Sequence, residues 1–365
     1  MTRLNIGFQE EDWERVRRDW SAWWCGELNR PMVFLTGAEP EMLARISEAP
    51  EFITNLPPEM PLEEVVARYQ SRLEATQYYG DSFPKWWLNF GPGIVAGFSG
   101  ARVVTAPDTV WFEPYQQVAI EEQQIRYAPD NIWWQRVSGL TRLAVERWGN
   151  QAVVSHTDLG GNLDILASHR GSQQLVLELY DAPEEVDRLV SDITRLWLRY
   201  YDELYALIQK SGRGTTPWAP IWSPGRTYML QSDFSYMISP KMFERFVMPD
   251  LEACCAHLDH AFYHLDGKGQ IPHLDDLLSI NDLWGIQWVP GDGAPPPEDW
   301  LPLLKRIRDG GKLCQVGVSP EGARKIVREL GGKGFCLHIA TADLIGEEAK
   351  AFLNTLAQED ISLGY

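Results

Sequence analysis

Long apolar runs, basic residues and paired cysteines are all scarce in this sequence of 365 residues. It contains no apolar run long enough to span a membrane, and its first residues lack the charged and apolar regions of a signal peptide, so we expect a cytoplasmic protein. The 33 Lys and Arg residues are outnumbered by 51 Asp and Glu residues, which argues against nucleic acid or an anionic membrane as partner. Five cysteines without a Cys-x-x-Cys pair indicate neither a disulfide framework nor a structural zinc site.

Apolar residues make up 44% of the chain and are concentrated in short segments. Eight segments, separated by helical patterns or long connections, are predicted to be strands: residues 31–36, 86–91, 152–158, 217–223, 261–265, 283–289, 312–318 and 334–340. This α/β pattern has the strand number of a (β/α)8 TIM barrel. We predict one barrel domain over residues 1–365, with an N-terminal helical extension over residues 1–30. Valines and aromatics around a Pro-Asp turn predict a hairpin within an insertion, residues 92–118, after strand 2 near the barrel mouth.

Polar side chains stand at the ends of several predicted strands, where a barrel of this kind keeps its active site. His264 and Asp266 are two residues apart on the fifth strand and therefore face the same side. His156 and Asp158 repeat this spacing on the third strand, and His338 lies on the eighth. Such a convergence predicts an enzyme. The alternative for any one pair is a buried histidine satisfied by a neighbouring aspartate.

An imidazole and carboxylates at one barrel mouth can bind a metal or move a proton. His264, Asp266 and His338 are candidate ligands of an N/O site for zinc or another divalent metal. Asp233, in the loop after the fourth predicted strand, is with His264 and Asp266 a candidate catalytic residue, because polar loop residues at a barrel mouth have few structural duties. Asp158 or the nearby Asp164 alternatively caps the helix that follows.

Further polar and aromatic residues near the predicted strand ends are candidates for substrate binding. Arg226 suits a carboxylate or phosphate, although a local salt bridge is an equal alternative. Glu113 lies in the predicted insertion, from which it can reach over the site. The full set of predicted substrate-binding residues is Trp222, Arg226, Tyr228, Asp158, Asn89, His156, Gln287, Trp288 and Glu113.

Four stretches of the chain resemble a known superfamily, that of uroporphyrinogen decarboxylase and the related corrinoid and coenzyme M methyltransferases. Residues 233–249 contain the Ser-Pro-x-x-Phe pattern and the following proline of that superfamily, and residues 263–267 end the next strand. Residues 158–164 and 109–114 resemble the branch described as uroporphyrinogen-decarboxylase-like or trimethylamine-corrinoid-protein-like. The resemblance spans nearly the whole chain, and it implies a TIM barrel and methyl transfer or decarboxylation.

The sequence departs from this superfamily at two kinds of position. Arg30 opens the first strand without the N-terminal arginine cluster by which the decarboxylase grips its substrate. The zinc methyltransferases carry His-x-Cys on the fifth strand and another cysteine after the eighth, whereas this chain has Asp266 and Thr341 near those places. The departures argue against porphyrinogen decarboxylation and against a thiolate-rich zinc site.

The sequence leaves three functions open. The leading hypothesis is a methyltransferase that moves a methyl group from a small methylated compound to a corrinoid protein or a thiol. The second is a decarboxylase, another lyase or a hydrolase that acts on a small polar or tetrapyrrole-like substrate. The third is a barrel that binds a tetrapyrrole without catalysis. The expected oligomeric state is a monomer or a dimer.

Overall fold

The computed structural model describes residues 4–340 and 344–361. Eleven strands lie in these parts of the chain: β1 Met32–Gly37, β2 Gln77–Gly80, β3 Lys85–Trp86, β4 Arg102–Thr105, β5 Val110–Glu113, β6 Val153–Val154, β7 Thr227–Gln231, β8 His260–Asp266, β9 Leu283–Val289, β10 Leu313–Gly317 and β11 Phe335–Ala340. The helices are α1 Glu10–Trp24, α2 Leu43–Ser47, α3 Leu62–Ala75, α4 Val95–Phe98, α5 Ile132–Trp148, α6 Asn162–Arg170, α7 Ser172–Asp181, α8 Pro183–Ile208, α9 Pro240–Phe246, α10 Met248–His257, α11 Leu274–Ser279, α12 Leu301–Asp309, α13 Pro320–Leu330 and α14 Gly346–Ile361.

The largest sheet has the strand order β2-β1-β11-β10-β9-β8-β7. All of its neighbouring strands are parallel except β2, which pairs antiparallel with β1. Strands β3 and β6 form a separate parallel pair, and β4 and β5 form the antiparallel hairpin predicted within residues 92–118. The fold is therefore α/β with a parallel sheet. Within the described ranges no strand ladder joins the two parallel sheets, so a closed barrel is not shown.

Helix α1 packs across one end of the sheets through a face of tryptophans. Trp13, Trp20, Trp23 and Trp24 are buried in a hydrophobic cluster that is separate from the main core. The same cluster takes alternate residues from several strands: Met32, Phe34, Val153, Met229, Phe262, Leu313 and Cys336. Because these residues come from both parallel sheets, the two sheets enclose a shared interior. The opposite end of that interior, at the carboxyl ends of the strands, is left for polar side chains.

The predicted strands differ from the observed ones mainly in the middle of the chain. The second and third are reduced to β3 and β6, with two residues each. The fourth prediction, residues 217–223, is wrong, and the strand is β7 instead. Pro217 and Pro220 have no N–H group to donate to a ladder, and the carbonyl groups of this segment accept hydrogen bonds from side chains. None of the helices in the described parts of the chain is long and apolar enough to cross a membrane.

Candidate functional site

Three predicted catalytic residues meet at the carboxyl ends of β7 and β8. His264 and Asp266 lie on one face of β8, as their spacing predicted, and Asp233 begins the turn of 3-10 helix Asp233–Met237 after β7. One ligand atom from each of these three side chains lies within 4.8 Å of the other two. Asp233 is exposed, while His264 and Asp266 are half-buried. We call these three residues the acid–imidazole cluster.

Asp164, at the start of α6, holds Asp233 in place. Its carboxylate oxygens accept hydrogen bonds from the backbone N–H groups of Asp233 at 3.0 Å and Phe234 at 2.7 Å. Gly161 lets α6 lie this close to the end of β7, because a Cβ atom there would lie 2.1 Å from the carbonyl oxygen of Gln231 and 2.6 Å from Asp164 Oδ2. Asp164 thus caps the turn that carries Asp233.

Burial and mutual repulsion disfavour the charged forms of the carboxyl groups near the cluster. Burial, with smaller contributions from Asp233 and Asp164, raises the pKa of Asp158 to about 7. Burial and Asp233 likewise raise the pKa of Asp164 to about 7. Burial and repulsion from Asp266 raise the pKa of Asp233 to about 6. A cation bound here would relieve the repulsion.

A row of amide side chains extends from His264 across the sheet. The register pairs Gln231 with His264, His264 with Gln287, and Gln287 with Gln315. The Gln287 and Gln315 side chains are buried. His264 Nδ1 lies 2.5 Å from Gln287 Oε1, Gln287 Nε2 donates to Gln315 Oε1 at 2.9 Å, and Gln315 Nε2 donates to the Pro220 carbonyl at 3.1 Å. These contacts form one continuous chain, which we call the amide relay.

The amide relay fixes the tautomer of His264. The Pro220 carbonyl can only accept, so Gln315 must turn its NH₂ group toward it and its oxygen toward Gln287. Gln287 must then donate to Gln315 and present its own oxygen to His264. The proton of the neutral imidazole therefore sits on Nδ1, and Nε2 keeps its lone pair. Burial lowers the pKa of His264, which favours this neutral form.

Lys85, a residue that sequence analysis missed, clamps the segment that anchors the relay. Its Nζ donates to the carbonyl oxygens of Pro217 at 3.1 Å and of Trp218 and Ala219 at 3.0 Å each. Burial lowers the pKa of Lys85 to about 7. The carbonyl groups oppose that effect, because only the ammonium form has three N–H donors. The clamp also positions the Trp218 ring, whose centroid lies 5.2 Å from that of His264 in an edge-on contact.

A cavity of about 430 Å³ lies beside the cluster, which is within the size range of small-molecule sites. Trp218 and Gln287, both of which touch His264, form part of its wall. The remaining wall includes the aromatic residues Phe34, Tyr69, Tyr78, Phe83, Trp86 and Trp87. The cavity and the cluster are therefore neighbours across two shared side chains.

Three predicted site residues line this cavity: Asn89, Gln287 and His338. Asn89 Oδ1 accepts from the N–H group of Gly91, while its Nδ2 has no partner in the described part of the chain. Burial lowers the pKa of His338 to about 4, which keeps that ring neutral. Among the described residues, the set of ligand atoms within 4.8 Å does not include His338, so its role as a metal ligand stays a prediction.

Four other predicted residues are placed in the interior rather than on the cavity wall. Trp288 is buried and packs edge-on against Trp300, on the opposite face of β9 from Gln287. His156 is fully buried and stacks on Tyr201 of α8, with ring centroids 4.4 Å apart. The Tyr228 hydroxyl accepts from the Leu159 N–H at 2.6 Å and so ties β7 to the loop after β6. Asp158 lies in that loop and accepts from the Gly160 N–H at 2.9 Å.

The structure does not bring Trp222, Arg226 or Glu113 to the acid–imidazole cluster. Trp222 lies in the tryptophan cluster below α1. Arg226 directly precedes β7, at its amino end, and its guanidinium lies over the Tyr205 ring. Trp222 and Arg226 were expected near the mouth because the fourth strand was predicted too early in the chain. Glu113 pairs with Arg102 across the exposed β4–β5 hairpin.

Sequence reasoning missed several residues for identifiable reasons. Lys85 and Gln315 carry no motif, and only the register and the path of residues 217–220 show their partners. Gln231 would have been found by extending the search for polar strand ends to β7, had that strand been predicted correctly. Thr341, which was compared with a zinc-binding cysteine, lies outside the described residues.

Comparison with known proteins identifies a fold but no family. No protein-family model matches the chain, and no curated protein is significantly similar to it in sequence. A methyltransferase from Methanosarcina mazei has a similar structure, with a TM-score of 0.61 over 94% of this chain and 98% of that chain and 12% identical residues. A B12-independent methionine synthase from Shewanella sp. W3-18-1, in complex with selenomethionine, aligns over 73% of this chain and 75% of that chain, with 13% identity and a TM-score of 0.36. The first match shows a shared fold.

Proposed function

We propose that the protein transfers a methyl group from a small methylated molecule to a corrinoid protein or a thiol. The observation that carries this proposal is the acid–imidazole cluster at the carboxyl ends of β7 and β8. Its support is the fold shared with a protein described as a methyltransferase and the resemblance of residues 233–249 and 263–267 to the corrinoid methyltransferases. The finer description of the fold as one (β/α)8 barrel domain of that superfamily belongs to the same proposal.

The cluster fits a divalent metal, and we propose zinc or a similar ion. Asp233 and Asp266 offer carboxylate oxygens, and His264 offers Nε2, a donor set suited to zinc and other first-row metals. Gln287 Oε1 accepts a hydrogen bond from the Nδ1–H group of His264, and metal-ligating histidines usually make such a bond through their other ring nitrogen. A metal held there would supply Lewis acidity toward the heteroatom that carries the methyl group.

The residues of the chain have separate tasks in this proposal. Asp164 and the amide relay keep Asp233 and His264 in fixed orientations, so little reorganisation accompanies the reaction. The methyl group leaves without the bonding electron pair, which stays on the donor's heteroatom. Asp233, at the exposed mouth, would be a deprotonated ligand of the metal, so the heteroatom takes its proton from solvent once the product leaves the site. Trp218 and the aromatic cavity wall exclude water from the donor.

The first experiment is elemental analysis of the purified protein, wild type beside Asp266→Asn and His264→Gln. Asp282→Asn is the matched control, because Asp282 is an exposed acid before the amino end of β9 and does not belong to the cluster. We expect about one divalent ion per wild-type chain, retention in the control, and loss in both cluster variants. Wild-type protein should then methylate added cob(I)alamin from at least one of a panel of methyl ethers, amines and thioethers. Full metal retention in the cluster variants would contradict the metal assignment, and no transfer from any donor would contradict the function.

Decarboxylase, lyase or hydrolase chemistry is the second candidate, and the density of carboxyl groups favours it. Asp158, with its pKa raised to about 7 by burial, can exchange a proton near neutral pH. Release of carbon dioxide or of a hydrolysed product from a polar or tetrapyrrole-like substrate, without any methylated acceptor, would distinguish this candidate from methyl transfer.

A further inference from the structure

One wall of the cavity carries a surplus of hydrogen-bond donors. Trp86, Trp87 and Asn89 lie within four consecutive positions at the end of β3, and all three line the cavity. Each has a buried N–H group without an acceptor among the residues that the structure describes: Trp86 Nε1, Trp87 Nε1 and Asn89 Nδ2. Trp87 and Asn89 are two positions apart and face the same side as Lys85, whereas the Trp86 ring packs on Tyr69 and Trp148. An unpaired buried donor costs free energy, so the N–H groups of Trp87 and Asn89 are expected to meet a ligand that accepts.

Charge favours an anion on the same side. The Lys85 ammonium group lines the cavity and has its three N–H bonds directed to carbonyl groups, so it contributes a positive field without needing a ligand. Arg72 and Glu51 stand exposed at the rim and offset each other. His338 is neutral, because burial lowers its pKa to about 4. The interior of the cavity is therefore electropositive.

The acid–imidazole cluster has the opposite polarity. Asp233 and Asp266 are acceptors, and Gln231, the register partner of His264, is buried with its Oε1 atom unpartnered within the described ranges. Trp218 and Gln287 stand between the two sides. A molecule that spans both sides needs an acceptor-rich, negative end in the cavity and its reacting end at the cluster.

We propose that the cavity binds the carboxylate end of a planar small molecule, and that this molecule is the methyl donor. The N–H groups of Trp87 and Asn89 hold the carboxylate, and the flat body lies against the indole rings of Trp87 and Trp218 on the cavity wall. The assignment of the ligand as methyl donor rests on the proposed function. The binding itself does not.

The test is equilibrium binding of benzoate to the full-length protein by titration calorimetry, without added metal, corrinoid or turnover. Benzamide is the neutral comparison and benzylamine the cationic one, each of nearly the same size. We expect benzoate to bind most tightly and benzylamine least. Trp87→Phe keeps an aromatic ring but removes the N–H group, and we expect it to weaken benzoate binding about tenfold. Trp111→Phe is the control, because Trp111 lies exposed on β5 and should be silent.

Asn89→Leu provides a second variant that removes the amide, and its expected loss is also about tenfold. The proposal is overturned if benzylamine binds as well as benzoate, if neither variant weakens benzoate, or if benzoate does not bind at all. The proposed function and the proposed ligand class can be refuted separately. Saturable benzoate binding without methyl transfer to any acceptor would overturn the proposed function alone, and transfer from donors that lack a carboxylate would overturn the ligand class alone.

Discussion

Replacing Gln315 by leucine should test whether the amide relay sets the tautomer of His264. The change leaves two groups without partners: Gln287 Nε2, which is buried, and the carbonyl of Pro220, which is half-buried at the cavity wall. Each unpaired buried group costs about 1–3 kcal/mol, and the apolar leucine recovers part of that sum, so we expect unfolding to become easier by about 2–4 kcal/mol. Gln287, no longer oriented, is then free to turn its NH₂ group toward His264, which would move the imidazole proton to Nε2.

The assay is nitrogen NMR of the protein with labelled histidines, since protonated and unprotonated ring nitrogens give distinct signals. Wild-type His264 should show a protonated Nδ1, and Gln315→Leu should shift the population toward a protonated Nε2. Gln270→Leu is the matched control, because Gln270 is equally buried but bonds to the Tyr263 hydroxyl outside the relay.

A glutamate at position 315 makes the test sharper. A protonated Gln315→Glu side chain donates to Pro220 and accepts from Gln287, as glutamine does, whereas the ionised form places an oxygen against the Pro220 carbonyl. Both forms accept from Gln287 Nε2 and hold its oxygen toward His264, so the His264 tautomer in this variant should match wild type across the pH range, while the ionised form should lower stability through its contact with the Pro220 carbonyl. A wild-type Nδ1 without a proton, or a tautomer that Gln315→Leu leaves unchanged, would refute the reasoning.

Three further predictions concern the buried polar groups around the site. Burial raises the pKa of Asp250 to about 7, so this group holds an extra proton in the folded state between about pH 4 and 7 and lowers stability by up to about 1.4 kcal/mol per pH unit as the pH rises through that window. Asp250→Asn should reduce the pH slope between denaturation curves at pH 5 and 8 by that amount and leave the parts due to Asp158 and Asp164. His156→Phe keeps the ring stacked at 4.4 Å and removes two buried nitrogens that lack partners among the described residues, so its melting temperature should rise; a clear fall would point to a function for the imidazole. Gly161→Ala forces a Cβ against the Gln231 carbonyl at 2.1 Å, so it should lower the free energy of unfolding by about 1–3 kcal/mol and weaken metal binding. Gly7→Ala, whose Cβ would meet nothing within 4 Å, should change neither quantity.

The part of the site that could be predicted from the sequence depends on the two-residue period of a strand. His264 and Asp266 had to share a face if residues 261–265 formed a strand, and no other information was needed. Asp233 was predicted as a polar loop residue after a strand at 217–223; that strand was wrong, but Asp233 also follows β7, so the prediction did not depend on the error. The face shared by His264 and Asp266, in contrast, could be predicted only because β8 was assigned correctly.

The residues that were missed act through contacts distant in the chain. Gln315 meets Gln287 and Pro220 across separations of 28 and 95 residues, and Lys85 meets Trp218 across 133. Apolar alternation indicates that residues 313–317 form a strand but says nothing of its register with β9. Pro217 and Pro220 did carry a local signal against a strand at 217–223. Had it been given more weight, Trp222 and Arg226 would not have been expected at the mouth.

Asp266 gives a last test, because it stands where the resembling zinc methyltransferases have a cysteine. A carboxylate is a harder ligand than a thiolate, so the wild-type site should discriminate weakly between zinc and manganese. Asp266→Cys should bind zinc more selectively, since the thiolate prefers the softer ion. It should also lower the pKa of Asp233 in the metal-free protein, because a neutral thiol removes a charge that now raises that pKa. Competition between the two ions for both proteins measures the first effect, and carbon NMR of the labelled aspartate measures the second. Unchanged selectivity would mean that Asp266 does not contact the metal, whereas failure of both proteins to bind either ion would leave the cluster to work as a proton donor alone.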